Sequence, residues 1–505
     1  MESTGHLEIE HKYDVEETTP LPVLEDIPGV ERVAEPVRHR LEAVYFDTAT
    51  LALAARRITL RRRTGGNDSG WHLKLPAGQA TRQEIHAPLG QPEHVPAELL
   101  AHLFVHTRGA DLSPVVRLAT ERTAYRLYGP GGEHLADFAD DTVQAHALDR
   151  DGAEVRWREW ELELVHGDAI LFADAADTIG ATGAVPSRHA SKPARAMGEA
   201  YPPEPVAGTG SPSKKGPVLE VVRAYLDEQI HELLTHDPGV RLGLPKAVHR
   251  MRSATRRLRS ALAIYGSLFT TDVPTQIEDD LKWLARILGR PRDAEVMRKR
   301  LRRRIKELPG KIGNGPVAGP IERELESTYN AGYQTVLKTL ETTRYYRLLD
   351  ELERFRDQPP ARPRASRPAK RESARLVNRA AKALEREHRK AAGTKAGPVR
   401  DTALHEVRKD AKKLLNAAES VTDIHRKRAP KLVRSAHRLT KVLGEHQDSV
   451  ATRRFLDSLA TDPTLPEGTL RAFRRIQEAE QETARTMKKK YSKAKKKASG
   501  MRLRS

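Results

Sequence analysis

Two glutamates and a lysine alternate along residues 8–12, which read Glu8-Ile9-Glu10-His11-Lys12. In an extended strand, side chains at i, i+2 and i+4 point to one face, so Glu8, Glu10 and Lys12 would share a side. Two carboxylates and an ammonium are costly to bury unless each meets a partner of opposite charge. A divalent cation and a phosphate would satisfy all three groups, although an exposed strand edge would explain this motif alone more simply.

Other short segments before residue 200 repeat this pattern. Polar and apolar residues alternate at His6–Val15, Ile58–Arg63, Trp71–Leu75 and Trp157–Val165, which predicts antiparallel strands. The charged residues that share faces are Arg61 with Arg63, His72 with Lys74, Arg82 with Glu84 and His86, Arg122 with Arg126, Asp137 with Asp141, and Glu159 with Glu161 and Glu163. Such strands, closed into a barrel, would enclose a polar tunnel with apolar residues packed outside. Its carboxylates would hold Mg²⁺ or Mn²⁺.

A second set of candidate residues occurs twice in the other half of the chain. Val248–Leu262 aligns with Leu404–Ala418 at an offset of 156, and LKWLARILGRPRDAEV aligns with AHRLTKVLGEHQDSV at an offset of 155. The aligned pairs are His249 with His405, Arg252 with Arg408, Arg256 with Lys412, Arg257 with Lys413, Arg286 with Lys441, Gly289 with Gly444, and Asp293 with Asp448. Two matches at nearly one offset predict a duplicated helical unit with pseudo-twofold symmetry.

The repeated helix has two distinct faces. At 100° per residue, His249, Arg252, Arg256 and Arg259 fall within an arc of about 80°, apart from the apolar arc that would face a core. Forked guanidinium donors match phosphate oxygens, so the stripe predicts binding of a polyanion. Few aromatic residues lie near it, which weighs against single-stranded nucleic acid, whose bases stack on aromatic rings.

Charge separates the two halves. The chain carries a net charge of +19, but residues 1–203 hold 21 Lys and Arg against 32 Asp and Glu, and the remainder holds 67 against 37. The composition changes at YPPEPVAGTGSPSKKGP. We therefore predict a tunnel domain at residues 1–203, a linker at residues 204–217 and a helical domain at residues 218–500, with repeats at about residues 218–356 and 373–500.

Composition also excludes some chemistry. The chain has no cysteine, which removes thiolate catalysis, disulfides and cysteine metal sites. We find no apolar run long enough for a membrane span and no basic-then-apolar leader, so we expect a cytoplasmic protein.

The first half resembles the CYTH family, the triphosphate tunnel metalloenzymes. The resemblance rests on ExExK at Glu8–Lys12, YFDT at Tyr45–Thr48, LRRR at Leu60–Arg63 and WHLKLP at Trp71–Pro76, followed by ERTAYRL, ADFADDTV, EWELEL and HASKPAR. It implies an antiparallel β-tunnel that hydrolyses or cyclises triphosphates with a divalent metal. By position it implies metal ligands at Glu8, Glu10, Asp141, Glu161 and Glu163, phosphate contacts at Lys12, Arg61, Arg63, Lys74, Arg122 and Lys192, and catalytic roles for Glu8, Glu10, Lys12 and Lys74. Whether Arg61 or Arg62 points inward stays open.

The second half resembles the CHAD family of histidine-containing α-helical domains. The matching residues are the HxxRxxxRRLR run from His249 to Arg259, LGRPRD at Leu288–Asp293, and their second copies. The resemblance implies a basic cavity that binds inorganic polyphosphate. The residues it points to are His249, Arg252, Arg256, Arg259, Arg286, Arg290, His405, Arg408, Lys412, Lys413 and Lys441. Leu415 and Gln447 depart from the pattern, so the second repeat is expected to make fewer contacts.

The sequence therefore predicts a multidomain α+β protein: an antiparallel barrel followed by an all-α duplicated bundle. The favoured function is metal-dependent hydrolysis of triphosphate or polyphosphate, with water attacking the terminal phosphorus in line. Adenylate cyclase activity, and a non-enzymatic role in binding polyphosphate or polyphosphate granules, are the alternatives; nucleic-acid binding is favoured less. Substrate chain length, metal preference, oligomeric state and coupling between the domains are left open.

Overall fold

The computed structural model describes residues 5–78, 81–148, 154–203, 211–270, 273–308, 317–395, 397–498 and 500–504. The chain divides into two compact units, Met1–Val206 and Ala207–Ser505. Residues 204–210 of the predicted linker lie outside the described residues, and the finer domain and repeat boundaries stay predictions. None of the helices in the described part of the chain has the length and apolar character needed to cross a membrane.

The first unit is a closed antiparallel barrel. Its strands are β1 (Gly5–Val15), β2 (Arg32–Val33), β3 (Val37–Asp47), β4 (Thr59–Thr64), β5 (Gly70–Pro76), β6 (Thr81–Ala87), β7 (Ser113–Tyr128), β8 (His134–Ala147), β9 (Val155–Leu164) and β10 (Val185–Pro186). Eight of them run in the order β1-β6-β5-β4-β3-β7-β8-β9, and β9 pairs back onto β1. The remaining two, β2 and β10, add to β7 and β1. The predicted barrel is confirmed.

Apolar side chains of this barrel face outward, where helices cover them. The helices of the unit are α1 (Ala97–Thr107), α2 (Ile170–Gly180) and α3 (Lys192–Met197). Trp71 packs in one outer cluster with Leu99 of α1, and Trp160 packs in another with Phe172 of α2. Because strand residues alternate between faces, the charged residues point inward, and on the same faces Leu118, Val143 and Trp157 belong to a separate buried apolar cluster.

The second unit is helical throughout its described residues. Its helices are α4 (Val218–Arg241), α5 (Ala247–Tyr265), α6 (Val273–Ile287), α7 (Gly289–Lys306), α8 (Ala318–Leu340), α9 (Thr343–Asp357), α10 (Ala369–Gly393), α11 (Pro398–Glu419), α12 (Ala429–Leu459) and α13 (Glu467–Ala498). The predicted all-α architecture is confirmed. On α5, the buried residues Met251, Ala254, Leu258, Leu262 and Tyr265 follow helical spacing and leave the basic stripe off the core.

The two repeats meet around a pseudo-twofold axis. A residue on such an axis contacts its own counterpart. Asn416 of α11 donates a hydrogen bond of 2.9 Å to Ser260 of α5, across the offset of 156 residues found in the sequence. Thr452 of α12 likewise contacts the sulfur of Met297 of α7 at 3.2 Å, across an offset of 155.

The N-terminal ends of α4 and α10 are related by the same pseudo-twofold symmetry. The Val218 N–H donates to the Arg367 carbonyl at 2.9 Å, and the Ala369 N–H donates to the Gly216 carbonyl at 2.8 Å. This reciprocal pair holds the last residues of the predicted linker against the second repeat.

The structure corrects two helix boundaries that the sequence patterns suggest. Apolar periodicity predicts separate helices at residues 428–443 and 449–459, but residues 429–459 form one helix, α12, whereas repeat one breaks between α6 and α7. Pro291 in the first turn of α7 lacks the N–H that a continuous helix would require there, and His446 takes its place in repeat two. Conversely, residues 322–356 read as one helix but divide at Thr342, whose hydroxyl caps the start of α9 by accepting from the Tyr345 N–H.

Candidate active site and anion-binding surface

The barrel interior is a charged cavity of about 620 Å³. The predicted residues that line it are Glu8, Glu10, Arg61, Arg63, Lys74, Arg122, Glu161 and Glu163, joined by His39, Asp68, His72, Glu84, His86, Arg126 and Asp137. The strand order places β4 across the barrel from β1 and β9, whereas only β8 separates β7 from β9. Carboxylates of β1 and β9 therefore face guanidinium groups of β4, and Arg122 of β7 pairs directly with Glu161 of β9.

The register of β4 decides between Arg61 and Arg62. Arg61 lines the cavity and donates to the Tyr45 hydroxyl at 3.4 Å, while Arg62 points away and donates to the Leu89 carbonyl at 3.3 Å. The inward pair is therefore Arg61 and Arg63, in the alternation that a strand requires.

The carboxylates of β1 and β9 form an acidic wall, and lysines pair with it. Lys74 of β5 donates to Glu8 at 2.5 Å, and Lys12 lies 3.2 Å from Glu10 and also contacts Glu161. Burial alone would raise the pKa of Glu10, but the charges of Lys12 and Lys74 outweigh it and lower the pKa to about 2. Glu10 is thus ionised at neutral pH.

Carboxyl oxygens on this wall lack partners. The second oxygen of Glu8 is buried without a hydrogen-bond partner, and Glu163 has no ion pair among the described residues. Burial, followed by the nearby charge of Glu8, raises the pKa of Glu163 to about 8. Burial also raises the pKa of Glu8.

A second acidic cluster is already neutralised. Asp141, Glu159 and Glu161 bring their oxygens within 4.8 Å of one another, which suits a metal by geometry. However, Lys192 at the start of α3 lies 2.7 Å from both glutamates and 3.0 Å from Asp141. Arg122 donates twice to Asp141, at 2.7 and 2.6 Å, and once to Glu161 at 2.5 Å.

Glu159 belongs to this cluster but was not among the predicted ligands. It also accepts from Trp157 Nε1 at 2.6 Å. The EWELEL alternation placed it on the inner face, so the pattern contained the signal. The contacts of Lys192 and Arg122 make this cluster an ion-pair network that holds two phosphate-binding candidates in position.

Arg61 and Arg63 of β4 form the basic wall of the cavity, and their closeness changes the pKa of Arg63. Burial and the neighbouring charges of Arg61 and Arg122 lower the pKa of Arg63 to about 9. Arg63 is paired with Asp68 of the β4–β5 turn. His72 lies 2.8 Å from Glu84, and burial lowers the pKa of its imidazole to about 4, so the ring is neutral. Neither His72 nor Asp68 was predicted as a site residue.

In the helical unit, basic residues of α5 and α11 meet at the pseudo-twofold axis. Burial and the charges of Arg252, Arg408 and Arg259 lower the pKa of Arg256 to about 10. Burial and the charges of Arg256, Arg408 and Arg252 lower the pKa of Lys412 to about 7. We call Arg252, Arg256, Arg408 and Lys412 the axial cluster. Its crowded positive charge would be relieved by a bound anion.

Two symmetry-related glycines and aspartates support the axial cluster. A Cβ on Gly289 would lie 3.4 Å from the Arg252 guanidinium, and one on Gly444 would lie 3.6 Å from that of Arg408. Asp293 accepts from Arg252 at 2.9 Å. The charge of Arg408 opposes the effect of burial, which raises the pKa of Asp448.

The two histidines differ between repeats. Burial lowers the pKa of both histidines, and the next cause is the charge of Arg292 for His249 but that of Lys409 for His405. His249 also lines a separate cavity of about 340 Å³ with Arg292, Lys299 and Arg303.

Not every predicted basic residue reaches the axial cluster. Arg286, Arg290, Lys413 and Lys441 are exposed, and none of them is among the main charges that act on Arg256 or Lys412. Arg300 and Arg304 of α7 are also unavailable, because both pair with the fully buried Glu480.

Sequence comparison decides the family. Residues 6–183 match the CYTH domain and residues 224–457 match the CHAD domain. An uncharacterised protein of Mycobacterium tuberculosis is 39% identical over 474 residues, which cover 89% of this chain and 88% of the relative. The chain is a CYTH–CHAD protein. The order of the two domains is the one that the motifs predicted.

Solved structures resemble parts of the CYTH–CHAD chain. PptA from Streptomyces chartreusis is 17% identical, with a TM-score of 0.48, and the match covers 55% of this chain and 99% of PptA. The CHAD domain from the plant Ricinus communis is 20% identical, with a TM-score of 0.46, and the match covers 59% and 98%.

The CYTH family is a metal-dependent tunnel fold, and the residues of this tunnel fit a divalent cation. The orphaned oxygen of Glu8 and the unpaired Glu163 crowd carboxyl oxygens beside Glu10, and the raised pKa of Glu163 reflects the cost of ionising it there without a cation. Oxygen donors of this kind are the ligands that Mg²⁺ and Mn²⁺ take. Of the two acidic clusters, Glu8, Glu10 and Glu163 therefore suit the cation better than the neutralised cluster around Asp141.

Proposed function

We propose that the CYTH unit hydrolyses inorganic triphosphate or the end of inorganic polyphosphate with Mg²⁺ or Mn²⁺, and that the CHAD unit binds polyphosphate. One observation carries the proposal: a single cavity holds an under-compensated carboxylate wall opposite a wall of guanidinium groups. A chain of phosphates with its cation is complementary to both walls at once.

Without ligand, the tunnel neutralises itself internally. Lys74 pairs with Glu8, and Lys12 pairs with Glu10 and Glu161. Glu8, Glu10 and Glu163 would hold the cation, which would supply charge neutralisation at the phosphate oxygens. Lys74 would donate to a phosphate oxygen, whereas Lys12 keeps its contact with Glu161.

The opposite wall orients the substrate. Arg61 and Arg63, two residues apart on β4, present guanidinium forks to adjacent phosphates, while Arg122 is held rigid by Asp141 and Glu161. Phosphoryl transfer depends on such positioning and charge stabilisation, with water as the nucleophile, more than on covalent catalysis. The barrel supplies these contacts without a serine or cysteine nucleophile.

The axial cluster supports the binding role of the CHAD unit. Four basic side chains from equivalent positions crowd so closely that the pKa of Lys412 is lowered to about 7. A linear polyphosphate crossing the axis would meet guanidinium groups from both repeats.

The test is phosphate release by the full chain from tripolyphosphate, long polyphosphate, ATP and thiamine triphosphate, with Mg²⁺, with Mn²⁺ and with chelator. We expect metal-dependent release that falls at least about 100-fold in Glu8→Gln and Glu10→Gln. Glu121→Gln, an exposed carboxylate on β7, is the matched control and should keep activity. No release from any substrate, or full activity in Glu8→Gln, would refute the hydrolase.

The assay also separates the alternatives. Cyclic nucleotide formed from ATP would identify a cyclase, and tight polyphosphate binding without turnover would identify a non-enzymatic binding protein. Competition between long polyphosphate and an oligonucleotide at fixed salt tests the CHAD unit. Preference for the oligonucleotide would overturn the polyphosphate assignment.

A further inference from the structure

The second repeat contains an apolar cavity that neither unit's proposed function uses. It has a volume of about 340 Å³ and lies among α10, α11, α12, the end of α13 and the chain's last residues. The buried apolar side chains that line it are Ala381, Leu384, Leu414, Leu432, Ala436 and Leu439. This volume lies within the range of small-molecule sites.

The cavity follows from a difference in side-chain size between the repeats. The fully buried members of this core cluster are aliphatic, and many of them are alanines. The first repeat instead buries Tyr265, Phe269, Tyr345 and Phe355. Small side chains on a similar helical frame leave space that large rings would fill.

One polar atom faces this space without a partner. His388 of α10 is 5% exposed and lines the cavity, and its Nε2 atom is buried with no hydrogen-bond partner. Its Nδ1 atom lies 2.6 Å from the Tyr491 hydroxyl. A neutral imidazole in either tautomer therefore keeps one free hydrogen-bonding atom toward the cavity.

In the first repeat, the polar residue equivalent to His388 has hydrogen-bond partners within the bundle. The helix starts Val218 and Ala369 differ by 151 residues, which makes Asp237 the counterpart of His388. Asp237 is completely buried and accepts from Arg241 at 2.6 Å and from Tyr345 at 2.7 Å. In the second repeat, an imidazole with one unpartnered nitrogen stands where the first repeat has this hydrogen-bonded carboxylate.

The rim of the cavity is basic, and the chain's end closes one side. Lys495 and Arg389 line it, and neither has a carboxylate partner among the described residues. The tail is held by reciprocal hydrogen bonds of 2.9 Å between Asn378 and Leu503 and by an ion pair of 2.6 Å between Arg502 and Glu385.

We propose that this cavity binds a medium-chain carboxylate, with its acyl chain among the leucines and its head group at His388, Lys495 and Arg389. An apolar interior disfavours water and multiply charged ligands, whereas the unpartnered imidazole and the basic rim favour an acidic head group. The site belongs to the second repeat and does not depend on the proposed hydrolase.

The test is calorimetric titration of the full chain with butanoate, hexanoate, octanoate and octanol. We expect saturable octanoate binding, with Kd falling about fourfold for each added methylene until the cavity is filled. Octanol should bind more weakly than octanoate, and His388→Leu should reduce that preference. No saturable octanoate binding to the wild-type chain would overturn the proposal.

Filling the cavity provides the decisive comparison. Ala436→Phe should weaken octanoate binding at least tenfold while thermal unfolding and polyphosphate binding are retained. Ala381→Leu fills less of the cavity and takes the place of Ala436→Phe in the test if that variant does not fold. Ala392→Phe, exposed on the same helix as His388, is the matched control and should bind normally. Unchanged octanoate affinity in both filling variants would overturn the proposal.

Discussion

Asn416 donates a hydrogen bond of 2.9 Å to Ser260, and the two residues occupy equivalent positions in the two repeats. Arg256 and Lys412 lie four residues before them, and Arg252 and Arg408 lie eight residues before them, on the same helix faces. The pseudo-twofold axis that joins Ser260 to Asn416 therefore also brings the four basic residues together. A binding surface for a polyanion arises from the same symmetry that packs the bundle.

The axial cluster should bind polyphosphate through salt-sensitive contacts from both repeats. We expect Arg256→Gln and Lys412→Gln each to weaken binding about tenfold and to reduce the slope of log affinity against log salt by about 0.7, because each removes one contact that releases a counterion. Fluorescence anisotropy with labelled polyphosphate across a salt series measures both effects. Lys431→Gln, an exposed control on α12, should change neither. An unchanged slope in both variants would contradict the assignment.

Polyphosphate affinity should fall as pH rises above neutrality. Burial and the facing charges of Arg256, Arg408 and Arg252 lower the pKa of Lys412 to about 7, and Asp448 opposes them. A bound polyanion favours the protonated lysine, so its pKa is higher in the complex than in the free protein. The contribution of Lys412 to binding is complete below pH 7 and is lost as the pH rises above it. Polyphosphate affinity should therefore fall about tenfold between pH 6 and pH 8. Lys412→Arg, which stays charged, should flatten the profile in the same anisotropy assay.

Removing a partner from the buried network of the barrel should cost far more than removing one at its surface. Arg122→Met leaves the buried Asp141 and Glu161 without their ion pairs to this guanidinium, and we expect the free energy of unfolding to fall by about 3 kcal/mol. Arg40→Met breaks an ion pair with Glu121 in which both side chains are more than two-thirds exposed, and should cost less than about 1 kcal/mol. Urea unfolding followed by tryptophan fluorescence reports mainly on this unit, which holds Trp71, Trp157 and Trp160. Equal losses would contradict the role given to Arg122.

Two glycines in helix interiors should respond oppositely to alanine. A Cβ on Gly444 would meet Arg408 at 3.6 Å, an ordinary contact, so Gly444→Ala should stabilise α12 by about 0.5–1 kcal/mol. A Cβ on Gly332 would lie 3.0 Å from the ring of Pro291, so Gly332→Ala should destabilise the helical unit. Thermal unfolding monitored by circular dichroism compares the two variants. Stabilisation by both would show that the contact with Pro291 relaxes freely.

Sequence patterns predict much of the architecture. Alternation of polar and apolar residues in β1, β4, β5 and β9 depends on a two-residue period that holds wherever one face is buried. The duplicated stripe was visible because helical spacing and a constant offset are local properties of the chain. The helix boundaries were less predictable: Pro291 breaks one repeat where His446 allows α12 to continue, and Thr342 caps α9 within an unbroken helical pattern.

By itself, the sequence determined the two units, their order, their opposite charges and which residue types face the tunnel and the basic stripe. These follow from composition and periodicity, which depend only on neighbours along the chain. Tertiary structure alone decided that Arg61 points inward, that Lys192 pairs with Asp141 whereas Glu163 lacks an ion pair among the described residues, and that Arg256 meets Lys412. Strand register, ion-pair choice and helix packing join residues far apart in sequence, so only their spatial arrangement could settle them.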